Sequence, residues 1–109
     1  ARFDFGLTSQ AGIYGIAFVA RNGTGLPDQK DRFVGMVKVV LDGTSVQMTD
    51  AQGAYFFKDV DQGRHELSID MNSLPVEFIP LVKVKNEVDV SEGTTYVFHI
   101  PLKVKSSSP

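Results

Sequence analysis

Thr49-Asp50-Ala51-Gln52-Gly53-Ala54-Tyr55-Phe56-Phe57-Lys58-Asp59-Val60-Asp61-Gln62-Gly63-Arg64-His65 is the stretch that decides the fold. Asp50-Ala51-Gln52-Gly53 reads as a type I turn closed by a left-handed glycine. Beyond it, Tyr55 and Phe57 project from the same face of an extended chain, as side chains that fill a core. Val60 and Gly63 bring the chain back through the turn Asp61-Gln62-Gly63. In the run that follows, His65, Leu67 and Ile69 alternate with Arg64, Glu66, Ser68 and Asp70. A period of two on both sides of a turn predicts half-buried strands.

The same period extends outward along nearly the whole chain. Phe3, Phe5 and Leu7 alternate with Arg2, Asp4 and Gly6, and Val37, Val39 and Leu41 form one face of another strand. The apolar run Ile13 to Ala20 suits a strand buried on both faces. Val82 and Val84 alternate with Lys83 and Lys85, and Val88 and Val90 with Glu87 and Asp89. Tyr96, Phe98, Ile100 and Leu102 alternate with Val97, His99, Pro101 and Lys103. Asp42-Gly43 is a hairpin dipeptide, and Ser91-Glu92-Gly93 is a further turn. Pro101 lacks an N–H, which predicts a sheet edge or a bulge in the last strand. No stripe of helical period occurs. The expected fold is all-β, a seven- or eight-stranded immunoglobulin-like or prealbumin-like β-sandwich.

A chain of 109 residues has room for one core. The expected organisation is a single domain over residues 1–105, with residues 106–109, a Ser-rich end, as a linker or tail; the start at Ala1 points to a domain cut from a longer polypeptide. Apolar residues make up 42% and net charge is −2, which excludes disorder and gives no long-range attraction to nucleic acid or anionic membrane. No stretch is apolar enough to span a bilayer as a helix. There is no cysteine, so disulfides, thiol nucleophiles and thiolate metal sites are excluded.

From Ile13 to Pro80 the chain resembles the calcium-binding B-type repeats of bacterial surface proteins, and more broadly the carboxypeptidase-regulatory-like, transthyretin-like sandwich domains. One part of the resemblance is Ile13-Tyr14-Gly15-Ile16-Ala17-Phe18, the Asn/Gly/Asp loop after it, Gly35 and Leu41-Asp42-Gly43. The other is the opening stretch, which matches T-D-x-x-G-x-Y-x-F-x-x-V-x-x-G-x-Y/H through Gly53, Tyr55, Phe57, Val60 and Gly63. The chain carries one residue more than this pattern between Gly35 and Leu41, which predicts a bulge where that strand begins. Such a pattern specifies fold better than function.

The resemblance also implies a calcium loop of the form D-x-N-x-N-G-x-x-D-x-x-E, falling here on Ala20, Asn22, Thr24, Gly25, Asp28 and Asp31. The ligands left are Asn22, Thr24, Asp28 and Asp31, since Ala20 has no side-chain oxygen and Asp31 is shorter than glutamate. Calcium takes six to eight oxygens. Two carboxylates beside Lys30 and Arg32 fall short of that. The expectation is a degenerate loop and no cofactor, with weak calcium binding as the alternative. Related pilin-type sandwiches also form Lys–Asn isopeptide bonds. Lys38 falls on an outward face and Asn86 is the only nearby asparagine, so no crosslink is expected.

No catalytic constellation emerges, and the chain is expected not to be an enzyme. His65 alternates with the core set and reads as a packed histidine, whereas His99 reads as surface on an edge strand. Asp59 and Asp61 read as a solvated acidic turn. Arg21, Lys30 and Arg32 form a basic cluster without interleaved aromatics, unlike a nucleic-acid patch. The leading expectation is a non-enzymatic extracytoplasmic module, a spacer, stalk or docking domain of a larger bacterial surface protein. It would be monomeric when excised, with a protein or neighbouring domains as partner. One alternative is a protein-binding accessory domain of an outer-membrane assembly machine such as a pilus usher, accepting a strand at Tyr96–Lys103 or Phe3–Leu7. The other is a carbohydrate-binding or enzyme-accessory domain.

Overall fold

Strand β1, Ala11–Val19, runs through the middle of the larger sheet. Ile13, Ala17 and Phe18 are completely buried. The computed structural model describes residues 11–20, 26–28 and 30–105. The alternating segment Phe3–Leu7, the loop positions Asn22 and Thr24, and the tail 106–109 lie outside the described residues. After β1 come β2 (Arg32–Phe33), β3 (Lys38–Leu41), β4 (Ser45–Met48), β5 (Ala54–Val60), β6 (Gly63–Ile69), β7 (Phe78–Pro80), β8 (Lys85–Val90), β9 (Thr95–Val97) and β10 (Ile100–Val104). The only helical piece among the described residues is a 3-10 turn at Met71–Ser73, capped by the Asp70 carboxylate.

Two sheets form the all-β sandwich. In the larger one, β1 pairs antiparallel with β5 along its first part and with β2 near its end. Its opposite edge pairs in parallel, first with β9 and then with β10, and β7 lies beyond β10. The smaller sheet is antiparallel in the order β4-β3-β6-β8. Between them lies one apolar core that includes Ile13, Val37, Val39, Tyr55, Phe57, Leu67, Val88 and Ile100.

The expected single strand from Tyr96 onward is two strands, β9 and β10, because the backbone jogs at Phe98–His99. The Phe98 N–H still donates to Tyr14 O at 2.8 Å. Its carbonyl then turns in above Gly15, so close that a β-carbon there would stand 1.8 Å from the oxygen. The Tyr55 hydroxyl donates to that carbonyl at 2.6 Å. On the far side of the jog, the Ile16 amide has lost its ladder acceptor and donates instead to His99 Nδ1, 3.1 Å away. Burial, reinforced by the neighbouring Tyr96, pushes the Tyr55 phenol well above its ordinary value, so it stays a donor.

The extra residue before β3 is Met36, with φ of 67°. Met36 N–H donates to Thr49 O, while Thr49 N–H donates to Val37 O, so two residues oppose one as in a bulge. The Thr49 side chain, only 3% exposed, fastens it by donating to Val34 O and accepting from Val37 N–H. The turn at Asp50–Gly53 forms as its sequence requires. Gly53 has φ of 75°, and Asp50 Oδ1 accepts the amides of Gln52 and Ala54.

Four sequence expectations are corrected. Pro101 is on neither an edge nor a bulge, because β10 lies between β1 and β7. Its carbonyl accepts from Leu81 N–H, and its nitrogen faces that same side one step past the last β10–β7 rung. The missing N–H therefore forfeits only the reciprocal bond to Leu81 O, just beyond the β10–β7 rungs. For the same reason Tyr96–Lys103 as a whole is no free edge; among the described residues only its short β9 portion has an unpaired side. Asp59 sits inside β5 as a bulge residue with φ of 58° rather than in a turn, and Val82–Val84 form a bend between β7 and β8.

Gly15→Ala must displace the Phe98 carbonyl and its bond to Tyr55, and we expect a loss of about 3 kcal/mol in urea unfolding. Tyr55→Phe leaves that carbonyl buried and unpaired, and about 1–3 kcal/mol should be lost. An effect below half a kcal/mol for both would show that the jog does not depend on this contact.

Candidate functional site

The described part of the loop between β1 and β2 closes on its own backbone. Asp31, 7% exposed, accepts the Asp28 amide at 2.7 Å through Oδ2. Asp28 Oδ1 accepts the Lys30 amide at 3.0 Å, and Asp31 N–H donates to Asp28 O. Asp28 and Asp31 thus belong to one turn, in which both carboxylates hold main-chain amides. Asn22 and Thr24, the other ligand candidates, lie outside the described residues. Arg32 turns from this loop to the ring of Phe78, its guanidinium carbon 5.1 Å from the centroid. Among the described residues no group of three or more His, Asp or Glu side chains is placed to hold a metal.

The motif residues are spread along β5 and its two flanking turns. Tyr55, Phe57 and Val60 are all buried in the core, with the Tyr55 and Phe57 rings edge-to-face at 6.0 Å. Gly53 lies against β1, where a β-carbon would stand 2.4 Å from Ala17 O. Gly63 has φ of 125° and opens β6. Lys38 is exposed, and the Asn86 amide donates to Lys83 O on its own stretch of chain.

The two histidines have opposite surroundings. His65 faces inward, as its parity requires, but stands past the core where both ring nitrogens meet acceptors. Nδ1 is 2.6 Å from Asp42 Oδ2, and Nε2 is 2.7 Å from Asp61 O. The ring ties the β3–β4 turn to the β5–β6 turn. The Asp42 bond is the main reason its pKa is raised, with burial opposing and the Asp61 carbonyl assisting. Partial burial pushes the Asp42 carboxyl up, but the His65 bond and the Glu66 amide outweigh it and hold it low.

His99 corrects the sequence reading. It is not a surface residue on an edge strand but is half-buried, edge-on to Phe18 at 6.4 Å. Burial lowers its pKa, as suits a ring whose Nδ1 must remain unprotonated to accept from Ile16. Thr49, Gly15 and His99 escaped the sequence reading as functional positions. Thr49 and Gly15 had a signal, since a threonine opens the matched motif and Gly15 lies in the other matched segment.

No helix among the described residues is long and apolar enough to cross a membrane. A shallow depression of about 290 Å³ near the 3-10 turn is walled by Met71, Leu74, Pro75, Val76 and Phe78, with Lys105 the one ionisable group on it. None of these arrangements joins a nucleophile to a base.

Comparison with known proteins returned no matching family model and no matching curated protein. Among solved structures, the chain is similar to GBS52, the minor pilin of the Gram-positive pathogen Streptococcus agalactiae, with a TM-score of 0.65 and 11% sequence identity. The match covers 94% of this chain and 47% of the pilin chain, so this chain spans about half the length of that protein. At this identity the likeness establishes a shared β-sandwich fold. The specific B-type repeat family of the sequence resemblance is not established by it.

The histidines predict a stability maximum near pH 6.5. His65, with its folded pKa raised, contributes fully below its unfolded value of 6.5 and loses that contribution as pH rises through the folded value. His99, with its folded pKa lowered, contributes above 6.5 and loses that as pH falls through its folded value. Urea melts between about pH 5 and about pH 8 should show His65→Gln flattening the alkaline limb. His99→Asn, which keeps an acceptor for Ile16, should flatten the acid limb. Unchanged limbs in both variants would refute the assignment.

Proposed function

We propose that this chain is a non-enzymatic β-sandwich module of a bacterial surface protein, acting outside the cytoplasm as a spacer or stalk that carries load between neighbouring domains. The carrying observation is the parallel pairing of β1 with β10. Ala17, Phe18 and Val19 lie beside Ile100, Pro101 and Leu102, so β1 begins at one pole and β10 ends at the other. Tension applied between the poles loads the bonds of this ladder together in shear rather than opening them one at a time. The likeness to a minor pilin supports the reading, because its fold is used in a protein of that kind.

Single-molecule stretching tests it. The force needed to unfold the chain pulled from its two ends should clearly exceed that needed when it is peeled from Gly43 at the β3–β4 turn. Equal forces would defeat the load-bearing reading. The same reading has the loop from Arg21 to Arg32 hold no calcium tightly, since Asp28 and Asp31 already serve main-chain amides beside Lys30 and Arg32. Titration calorimetry should give no submicromolar site, and finding one would restore the family's metal function.

One observation favours a second reading, as a carbohydrate-binding accessory module. Phe56 is 46% exposed on the outer face, directly across from Tyr14, and its ring lies over Gly12. A row of flat rings on a sheet can stack sugar faces. Saturable oligosaccharide binding that Phe56→Ala abolishes would favour this reading over the spacer.

A further inference from the structure

A sheet edge presents unpaired amides and carbonyls, and natural sheets obstruct such edges to prevent pairing between chains. Most free edges here are obstructed. Strand β2 has two residues, and β7 ends on Pro80. Strand β5 is bulged at Asp59 beside Lys58, and β9 stops at the Phe98–His99 jog. Strand β8 presents Lys85, Glu87 and Asp89 to solvent.

Strand β4 is the exception among the described strands. Ser45-Val46-Gln47-Met48 contains no charge, proline or glycine, and all of it is exposed, Val46 by 49% and Met48 by 40%. Thr49 exchanges bonds with the β3 side, so by alternation Gln47 and Ser45 face β3 as well. The amides and carbonyls of Val46 and Met48 therefore point outward. Their side chains lie on the outer face of the sheet with Lys38 and Val40, away from the core.

We propose that two copies of this chain associate through β4, antiparallel about a two-fold axis at Gln47, with Val46 opposite Met48 of the second copy. The occupant follows from self-complementarity. In this register the outward groups of Val46 and Met48 form hydrogen-bonded pairs, each exchanging both N–H···O bonds. Gln47 meets Gln47 of the second copy in the non-hydrogen-bonded position, where side chains are closest and two amides can bond each other. Apolar meets apolar on the outer face, and no like charges are opposed. Asp50 comes opposite Thr44, and Asp42 opposite Gln52, with Asp42 already paired to His65. The two smaller sheets become one continuous sheet across an isologous interface.

Sedimentation and light scattering of the 109-residue chain from micromolar to millimolar concentration should show the mass rising toward twice 11.9 kDa. Gln47→Lys and Gln47→Glu, each kept folded as judged by circular dichroism, should remain monomeric, since each places like charges in the central pair. An equimolar mixture of the two should restore the dimer, which a folding defect would not do. A wild-type chain monomeric at millimolar concentration overturns the proposal, as does a dimer unmoved by Gln47→Lys or a mixture that stays monomeric. A β4 edge that takes an extended segment of a different protein instead would show as the first of these outcomes.

Discussion

Strand β1 is largely buried and hydrogen-bonded along both edges, so its amides and carbonyls need partners within the protein. No two strands satisfy them all. Strands β5 and β9 serve its first part, and β2 and β10 its end, so both edges must change partner between Gly15 and Phe18. On the β5 side the change is continuous, with Ala17 N–H donating to Gly53 O and Ala17 O accepting from Val34 N–H. On the other side it leaves a gap. The His99 ring fills it for Ile16, and the displaced Phe98 carbonyl is satisfied by Tyr55 above the only side chain small enough to allow it. Tyr55 is therefore more than core filling. It links the motif hairpin to the jog that allows β1 its second set of partners.

What could be read from the sequence is what the chain encodes locally. The left-handed Gly53, the inward pair Tyr55 and Phe57, the Asp42-Gly43 turn and the extra residue before β3 each express a steric or alternation rule over a few neighbours. What could not be read depends on a partner across the sheet. Pro101 is tolerated inside a sheet only because its nitrogen lies one step beyond the end of β7, a fact of register rather than of the last strand's own sequence. Asp59 alternates like any turn acid, and only the mismatch between Ala11–Ile13 and Phe57–Val60 makes it a bulge. His99 has the parity of a surface residue in an unbroken strand, and the jog cancels that inference.

The candidate cation loop was legible as a pattern and less so as chemistry. Spacing selected Asp28 and Asp31, and the structure does bring them into one turn. Spacing carries no information about which lone pairs the backbone has already taken. Asp31 is buried while bonding the amide at Asp28, a role that needs a short acid and would be poorly served by the longer glutamate of the family pattern. Thr49 makes the complementary point. Its hydroxyl is both donor and acceptor at the Met36 bulge, which no count of ligand types would single out.

Load between the poles and pairing at the flank make separate demands, and the structure meets them in different sheets. The larger sheet holds the parallel β1–β10 ladder, and its outer strands are bulged, short or proline-ended, so that ladder is shielded from foreign strands. The smaller sheet holds β4, whose free side faces along neither pole. Association there adds a strand without disturbing any bond of β1. Within the larger sheet Tyr55 reaches from β5 to the jog, and His65 holds the β3–β4 turn to the β5–β6 turn. Because the His65 tether acts at the turn from which β4 begins, its charge state bears on how firmly the pairing strand is held. The turn is gripped most tightly below the pH at which His65 gives up its proton.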